Sequence, residues 1–434
     1  MVKVRRQDDD VWYRKPRSRC IILLVLIGLL VIVIIAVAVA LAKKGGDSLP
    51  PDPLERAKAL MKRVPLVDGH NDLPWQLKLH FDNRLENIDM YESTADKFDE
   101  GYGHTDIPRL RQGMVGAQFW AAYVACSNQY KDPVRFALEQ IDVIKRFTNK
   151  YSEVFEFVTT AQGILDAFNK NKIGSMIGVE GGHAFDSHLG NLRMLYDVGA
   201  RYVTITHSCN TPWADNWKCS QDNNPEFGGL SEWGELVIRE MNRLGMLIDL
   251  SHVSFDTMHD TLRITEAPVI FSHSSAFAIC AHHRNVPDDV LEKVKENGGV
   301  VMVNFYEKYI NCPPMNQSVS DIKQVADHID YLKSKCGVDC VGIGSDYDGV
   351  DVLPEGLGDV STFPDLIAEM IRRGWSDEDI EKLLGNNLIR AFKEAEKVRD
   401  RLSSSIEPYD ETIPRDSGEE ANNTCRHYIY NPDN

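Results

Sequence analysis

Short, continuously apolar runs recur eight times along the chain, and most of them end on a histidine or a carboxylate. The first run begins at Leu66 and ends on His70 and Asp72. Because the runs are continuous rather than alternating, they predict strands that are buried on both faces, as in a parallel sheet. The later runs cover residues 114–124, 173–179, 202–206, 246–250, 268–271, 300–305 and 341–344.

Helical patterns lie between most of these runs, for example over residues 231–244, 288–297 and 319–335. Eight strand and helix units in alternation predict an α/β protein with a (β/α)8 TIM-like barrel. A chain of 434 residues suits one such barrel with appendages. In these barrels the active site lies at the carboxyl ends of the strands, which is where the ionisable residues cluster in this sequence.

Five of the polar run ends predict a metal site. His70 and Asp72 are two residues apart, so in a strand both side chains point to the same face. Glu180 follows the third run, and His252 and His273 end the fifth and sixth. Each histidine alone also fits a buried, hydrogen-bonded role, but together the five suit zinc, which takes nitrogen and oxygen ligands. Five ligands are too many for one tetrahedral ion, so two ions bridged by a carboxylate fit better and predict a metal-dependent hydrolase.

Two further run ends, His207 and Asp346, follow the fourth and eighth runs. Either is a possible additional ligand, but acid–base and oxyanion roles are preferred because the ligand set is already full. Arg284 follows the sixth run and is either a surface arginine or a residue that binds a substrate carboxylate. Six histidines in polar or helical stretches are predicted to lie on the surface: His80, His104, His188, His259, His328 and His427. Three others lie in loops near the predicted rim of the barrel, where a role in supporting the site is the alternative to that of a plain loop residue, which is favoured: His183, His282 and His283.

The N-terminal region predicts a membrane anchor. Residues 20–42 contain no charged side chain and are long enough to cross a bilayer as a helix. A cleaved signal peptide is the alternative, but its apolar core is usually only about 7–15 residues long. Most of the flanking basic residues precede this segment, which predicts a cytosolic N-terminus and an extracellular body at the plasma membrane. The predicted divisions are a cytoplasmic tail over 1–19, a transmembrane signal-anchor over 20–42, a stem over 43–53, the barrel over 54–402 and a C-terminal tail over 403–434.

Composition and charge narrow the possible partners. The net charge is −17, although residues 1–44 are basic, and so acidic a body argues against a nucleic-acid partner. Glycosylation sequons begin at Asn316 and Asn422, and nine cysteines suit an extracellular protein with disulfides. The polar C-terminal residues do not predict a lipid-anchor signal.

Long motifs in this chain resemble those of the membrane dipeptidases, also called renal dipeptidases, which are zinc-dependent enzymes with an amidohydrolase-like barrel. The resemblance covers roughly residues 54–400 and keeps the order of the family's motifs. The matching stretches are Asp68–Pro74, Val179–His183, Thr206–Trp217, Ile248–Ser254, Ile270–Ala276, Arg284–Val290 and Gly344–Val350.

The resemblance implies two zinc ions per subunit. His70 and Asp72 are expected to bind one ion, His252 and His273 the other, and Glu180 to bridge them. It further implies hydrolysis of the peptide bond of dipeptides, including those with a D-residue at the second position, by a zinc-bridging hydroxide.

The resemblance also assigns substrate contacts. His207, Arg284 and Asp346 are expected to bind the dipeptide, together with Tyr309. Asp346 would handle the proton, His207 would steady the tetrahedral oxyanion, and Arg284 with Tyr309 would grip the free C-terminal carboxylate.

Cysteine pairing follows from the same resemblance, which implies disulfides between Cys126 and Cys209 and between Cys280 and Cys312. It matches Cys425 to a cysteine that links two subunits into a homodimer. Three cysteines fall outside the family pattern, of which the last two are close enough to pair locally: Cys219, Cys336 and Cys340.

Two other functions are compatible with this fold. One is a catalytically silent cell-surface receptor or adhesion protein, although none of the five ligand or three substrate positions departs from the family pattern. The other is a related barrel hydrolase acting on another small amide or a lactone, but Arg284 and Tyr309 favour a substrate with a carboxylate. The N-terminal span departs from the cleaved signal and C-terminal lipid anchor of familiar vertebrate members.

Overall fold

A computed structural model describes residues 25–33, 49–312 and 320–413. The chain divides into two compact units, Met1–Pro51 and Asp52–Asn434. In the first unit, residues 25–33 form a helix with exposed apolar side chains, and the rest of the span predicted over 20–42 lies outside the described residues. None of the described helices is both long enough and apolar enough to cross a membrane.

The second unit is built on a closed barrel of eight parallel strands. The strands are β1 Leu66–Asn71, β2 Val115–Tyr123, β4 Ile173–Glu180, β5 Ala200–Thr204, β6 Leu247–Asp249, β7 Val269–Phe271, β8 Val300–Val303 and β9 Val341–Ile343. Their order in the sheet is β2-β1-β9-β8-β7-β6-β5-β4, and pairing between β2 and β4 closes the ring. These strands correspond one by one to the eight apolar runs, so the predicted TIM-like barrel is confirmed.

A ninth strand, β3 (Phe155–Phe157), was not predicted from the sequence. It pairs with the first half of β4, at Ile173, while β5 pairs with the second half of the same edge. The strand therefore extends the sheet outside the ring and contributes nothing to the carboxyl ends of the barrel strands.

Helices follow most of the strands and cover the barrel. The predicted helices over 231–244, 288–297 and 319–335 are observed, with ends displaced by no more than a few residues. A π-helical segment, Lys382–Asn386, precedes the last helix. The helices are α1 Pro53–Met61, α2 Leu73–Phe81, α3 Ile107–Gln112, α4 Pro133–Lys150, α5 Ala161–Asn169, α6 Leu189–Asp197, α7 Trp217–Asp222, α8 Glu232–Leu244, α9 Phe255–Ile264, α10 Asp288–Asn297, α11 Glu307–Ile310, α12 Ile322–Cys336, α13 Phe363–Arg372, α14 Asp377–Glu381 and α15 Asn387–Leu402.

Local sequence sets the ends of the longer helices. Ser231 caps α8 by accepting a hydrogen bond from the backbone N–H of Gly234, and α12 begins with a reciprocal capping box between Asp321 and Gln324. Gly245 ends α8 in the left-handed conformation, at φ 70°, that favours glycine. These signals explain why the ends of the two helices could be predicted closely.

The barrel interior combines apolar packing with a few precisely placed polar side chains. Every residue of β1 and β4 is buried, as continuous apolarity predicted. Gly178 on β4 leaves room for the ring of its register partner Tyr202 on β5, because a Cβ at this position would overlap that ring. Tyr202 can therefore lie across the interior toward β1.

Three disulfides join the described cysteines. The predicted Cys126–Cys209 and Cys280–Cys312 pairs are present, and Cys336 pairs with Cys340, as their spacing allowed. Among the described residues Cys219 is the free cysteine. Cys425 and the sequons at Asn316 and Asn422 lie outside the described residues.

Two histidines predicted to be on the surface are buried instead. His328 on α12 accepts from the backbone N–H of Ala276 through Nδ1 (3.0 Å), and its Nε2 donates to the carbonyl of Ile310 (2.9 Å). His104 accepts from the backbone N–H of Asp348 at 2.9 Å. Their sequence neighbours are polar, but these two rings support loops at the mouth of the barrel.

Candidate active site

A cavity of about 380 Å³ opens at the carboxyl ends of the barrel strands. It contains most of the residues singled out from the sequence, although they come from distant parts of the chain. His70 and His273 lie deeper, with side chains that are at most 1% exposed. The cavity is lined by Asp72, Trp75, Tyr102, Tyr123, Glu180, His207, Ser208, His252, Arg284, Tyr306, Tyr309, Asp346, Gly349, Val350 and Asp351.

Glu180, at the end of β4, lies between the two halves of the predicted metal site. Its Oε2 is 3.7 Å from Nε2 of His70, which is itself 3.1 Å from Oδ2 of Asp72. Its Oε1 is 3.1 Å from Nε2 of His252 and 3.5 Å from Nε2 of His273. The two oxygens of one carboxylate thus face two different sets of donors. We call these five residues the ligand cluster.

Hydrogen bonds on the far side of the rings aim two histidines at the ligand cluster. Nδ1 of His70 is 2.8 Å from the Tyr202 hydroxyl, which donates to the carbonyl of Gly69 and therefore accepts from His70. Nδ1 of His273 is 2.8 Å from the Ser272 hydroxyl, which donates to Oδ2 of Asp249. With Nδ1 protonated in both rings, the lone pair of each Nε2 points into the cluster.

Two buried aspartates within the apolar runs support the strand ends. Asp68 accepts from the backbone N–H and hydroxyl of Ser345, both at 2.7 Å, and so joins β1 to the residues after β9. Asp249 accepts from the backbone N–H groups of Ser251 (3.1 Å) and Ser272 (2.8 Å) and so joins the ends of β6 and β7. Sequence reasoning missed both, although a carboxylate inside a continuous apolar run was the available signal.

Two residues of the site have backbone conformations that the sequence did not reveal. His252 has φ 69° and Asp346 has φ 67°, in the left-handed region that few residues other than glycine adopt. The carbonyl of His252 accepts from the backbone N–H of Trp217 (2.8 Å) and the hydroxyl of Thr206 (3.0 Å). Such local strain is typical of functional sites, where surrounding contacts hold it.

Burial and charge crowding dominate the electrostatics. Burial raises the pKa of Glu180 to about 8 and that of Asp346 to about 7, and in each case the charge of His70 opposes the shift while Asp72 adds to it. Burial disfavours protonation of His70, but the charges of Glu180 and Asp72 outweigh it and raise the pKa to about 10. Burial lowers the pKa values of His207, His252 and His273 well below the ordinary value. The site thus crowds carboxylates together and keeps three histidines neutral.

The ligand cluster fits metal ions in its chemistry and its spacing. Two donors that each lie about 2.0–2.2 Å from one tetrahedral zinc ion are roughly 3.3–3.6 Å apart, only slightly more than the spacings seen here. The Nε2 atoms of His252 and His273 are 2.9 Å apart, and Nε2 of His70 is 3.1 Å from Oδ2 of Asp72. A cation at each pair would neutralise the crowded carboxylates, replace the proton that they favour on His70, and use the imidazoles as ligands.

His207 and Asp346 lie on either side of the ligand cluster. Nε2 of His207 is 3.9 Å from Oε1 of Glu180, and Oδ1 of Asp346 is 4.0 Å from Nε2 of His70. Each is close enough to the neighbouring donors to complete a three-ligand group. Both residues also face the cavity, as a role in binding or proton transfer requires.

Arg284 is a buried arginine and not one of the surface arginines. It is only 1% exposed, and within the described part of the chain its Nε has no hydrogen-bond partner. Its guanidinium lies 5.3 Å from the centre of the Tyr309 ring, and both residues line the cavity. A buried guanidinium with an unused donor is suited to bind an anionic group that enters the cavity.

Apart from Tyr309, the aromatic residues of the cavity wall were not singled out from the sequence. The rings of Trp75 and Tyr123 meet edge to face at 4.8 Å, and Tyr123 meets His207 at 4.9 Å. Tyr102 and Tyr306 also line the cavity, together with Asp351. Tyr102 and Tyr306 lie in loops and Trp75 in α2, with no periodic pattern that points to a site, whereas Tyr123 ends β2 and its place at the end of an apolar run was an available signal.

The closed parallel barrel with a buried histidine–carboxylate cluster at its carboxyl edge defines a class, the metal-dependent hydrolases of TIM-barrel type. Residues 54–406 match the family described as membrane dipeptidase, peptidase family M19, and the chain belongs to that family. The family and enzyme class inferred from the motifs are therefore confirmed. Metal-dependent hydrolysis of dipeptides is the activity of this family.

Known relatives agree with this assignment. The chain is 43% identical to Dipeptidase 3 of Mus musculus over 376 residues, covering 86% of this chain and 72% of the relative. It is 44% identical to Dipeptidase 3 of Homo sapiens over 355 residues, covering 81% and 70%. Among solved structures, a metallopeptidase from Rhodobacter sphaeroides liganded with a phosphinate mimic of the dipeptide L-Ala-D-Ala has a TM-score of 0.66 and 25% identity, covering 76% of this chain and 99% of that one.

Proposed function

We propose that this protein is a dinuclear zinc dipeptidase that hydrolyses dipeptides, including those with a D-residue at the second position. The observation that carries the proposal is the position of Glu180, whose two carboxylate oxygens face separate donor sets. His70 and Asp72 would hold one ion, and His252 and His273 the other. Acceptance of a D-residue at the second position is supported by the ligand of the Rhodobacter sphaeroides structure, a mimic of L-Ala-D-Ala.

The bound ions would lower the pKa of a shared water and polarise the scissile carbonyl. The protein supplies the remaining steps. Arg284 binds the C-terminal carboxylate of the dipeptide through its unpaired Nε–H, while its two Nη atoms lie 3.4 Å from the Ser274 hydroxyl and the His273 carbonyl, and Tyr309 packs beside it. This contact places the peptide carbonyl over the ligand cluster.

Proton transfer and charge stabilisation fall to the two residues beside the cluster. Asp346 accepts the proton that the attacking water loses and delivers it to the leaving amine. His207 donates a hydrogen bond to the oxyanion that develops on the carbonyl oxygen. Because Arg284 is buried, a free carboxylate must lie one residue after the cleaved bond, and the cavity of about 380 Å³ limits how much of the substrate can precede that bond; together these two limits favour dipeptides.

The deciding experiment is an assay of the full-length protein, purified in detergent, with Gly-D-Ala. We expect release of both amino acids, loss of activity with a chelator, and recovery on addition of Zn²⁺ but not of Ca²⁺, which prefers oxygen ligands. Metal analysis should give two zinc ions per chain. A folded, zinc-loaded protein that releases no amino acid would instead support the silent receptor.

The proposed setting is the plasma membrane, with residues 1–19 in the cytosol, 20–42 as the span, 43–53 as a stem and the barrel of 54–402 outside. The charge bias around the span and the sequons support this orientation. N-terminal sequencing of the mature protein tests this orientation, since a start near Lys43 would mean that the span is removed.

The proposed C-terminal tail, residues 403–434, would carry Cys425, which we propose links two subunits into a homodimer. A dimer band on a non-reducing gel that disappears on reduction and in Cys425→Ser would support this link.

A further inference from the structure

The Cys126–Cys209 disulfide joins the ends of two strands that are not neighbours in the barrel. Cys126 follows β2 and Cys209 follows β5, while β4 lies between these strands. Glu180 is the last residue of β4, and the chain turns directly after it. The disulfide therefore connects the loops on both sides of the bridging carboxylate.

His183 packs between this disulfide and the turn after Glu180. One of its ring nitrogens and the sulfurs of Cys126 and Cys209 lie within 4.8 Å of one another. Its Nε2 donates to the carbonyl of Val124 at 2.8 Å, and its Nδ1 has no hydrogen-bond partner among the described residues. Burial lowers the pKa of His183 to about 4, so the ring that packs against the disulfide is neutral.

His207 lies against the same disulfide. Its Nδ1 is 3.7 Å from Sγ of Cys126, while its Nε2 is directed toward Oε1 of Glu180. The rings of Tyr123 and His252 lie 4.9 Å and 4.4 Å from its ring. The imidazole is thus held by the disulfide on one side and by aromatic rings on two others, and its remaining exposed part, 19% of the side chain, faces the cavity.

We propose that the Cys126–Cys209 disulfide is a positioning element that holds the imidazole of His207 in the orientation needed for turnover. The proposal rests on the oxyanion role proposed above for His207. The disulfide acts through His207 and not on the substrate, since neither cysteine is among the described residues that line the cavity. A displacement of about 1 Å at a catalytic group can cost roughly a hundredfold in rate.

The first test compares two pairs of substitutions in the full-length enzyme. C126A/C209A removes the positioning disulfide, and C336A/C340A removes a disulfide that immediately precedes β9, at the opposite end of the barrel. For Gly-D-Ala we expect C126A/C209A to lower kcat between about tenfold and about a hundredfold, while KM changes less than about threefold. The control pair should leave both constants unchanged. An unchanged kcat in folded C126A/C209A would overturn the proposal.

The second test separates positioning of His207 from general structural support. C126A/C209A is introduced into the His207→Ala enzyme, whose residual turnover is measured over long incubations. If the disulfide acts only through His207, its removal should have little effect once His207 is absent, because residues that act as a unit are not additive. We therefore expect C126A/C209A to change the kcat of the His207→Ala enzyme by less than about twofold. Equal fold losses with and without His207 would overturn the proposal. Failure of the proposed function is distinguishable, because the wild-type enzyme would then show no zinc-dependent hydrolysis.

If C126A/C209A does not fold, the folded wild-type and His207→Ala enzymes are treated with a phosphine. The phosphine reduces each disulfide to two thiols and becomes a phosphine oxide. Reduction of Cys280–Cys312 affects both enzymes, so a kcat loss confined to the wild type supports the proposal. A kcat loss of the same size in both enzymes, or in neither, would contradict it.

Discussion

Tyr202 shows how a single side chain can orient a metal ligand. Its hydroxyl accepts from Nδ1 of His70 and donates to the carbonyl of Gly69, which leaves Nε2 of His70 free to face Glu180. Ser272 has the same relation to His273. The orientation of both imidazoles is therefore fixed before any ion binds.

Removing the Tyr202 hydroxyl should weaken metal binding. We expect Tyr202→Phe to lower zinc affinity by about tenfold or more, because such supporting hydrogen bonds fix ring orientation and ligand basicity. Equilibrium dialysis against buffered zinc measures the change without reference to activity. Tyr151→Phe is the matched control, since its buried hydroxyl accepts from the backbone N–H of Met90, away from the cluster. Equal zinc affinities in the two variants would contradict the role of Tyr202.

Arg284 should determine the requirement for a free carboxylate. Arg284→Met keeps an unbranched apolar stem but removes the guanidinium, and we expect KM for Gly-D-Ala to rise about a hundredfold through loss of charge-assisted hydrogen bonds. The control is the same dipeptide with an amidated C-terminus, which should be a poor substrate for both enzymes. If the variant still prefers the free acid over the amide as strongly as the wild type, the assignment of Arg284 is wrong.

At the scale of elements, continuous apolarity predicted all eight barrel strands, because strands buried on both faces cannot carry an alternating pattern. It could not predict β3, whose three residues Phe155–Phe157 carry too little pattern. The strand ends also explained why His70, Glu180, His252 and His273 would meet. Which ligands share an ion came from the family resemblance, because sequence spacing does not determine how side chains turn at the end of a strand.

His328 illustrates the limit of local sequence reading at this scale. His328 was predicted to lie on the polar, exposed face of α12. Its ring lies on the buried face instead and connects α12 to the loop at Ala276 and to the end of α11 at Ile310. The tertiary contact that buries the ring is distant in sequence. No pattern within α12 reports which histidine has such a partner.

Burial of His328 should make the folded protein sensitive to acid. Burial lowers its pKa from 6.5 to about 4. The neutral ring is favoured in the folded state, so this contribution to stability is fully present above about pH 6.5 and is lost as the pH falls toward 4. Between pH 7.5 and 5, the free energy of unfolding should fall about 2 kcal/mol more in the wild type than in His328→Gln. Denaturant unfolding at both pH values measures it, and parallel losses would contradict the prediction.

For the whole molecule, the ligand cluster should couple metal content to stability. Without cations, Asp72, Glu180 and Asp346 place three carboxyl groups in one buried site. Chelation should therefore lower the unfolding midpoint by about 5–10 °C, since ions bound only by the folded state stabilise it. Calorimetry before and after chelation tests this, with zinc addition as the reversal. A midpoint unaffected by metal removal would show that the cluster is not a strong metal site.

The closure of the barrel also has a consequence for biosynthesis. β1 pairs with both β2 and β9, so the first strand made by the ribosome has the last strand of the ring as one of its neighbours. The hydrogen bond from Ser345 to Asp68 and the approach of Asp346 to His70 can form only after more than half of the chain, all of it C-terminal to His70, has been synthesised. The nascent chain must hold β1 with one edge unpaired until β9 emerges. The complete set of site residues, which includes Asp346, can therefore come together only after β9 has been synthesised.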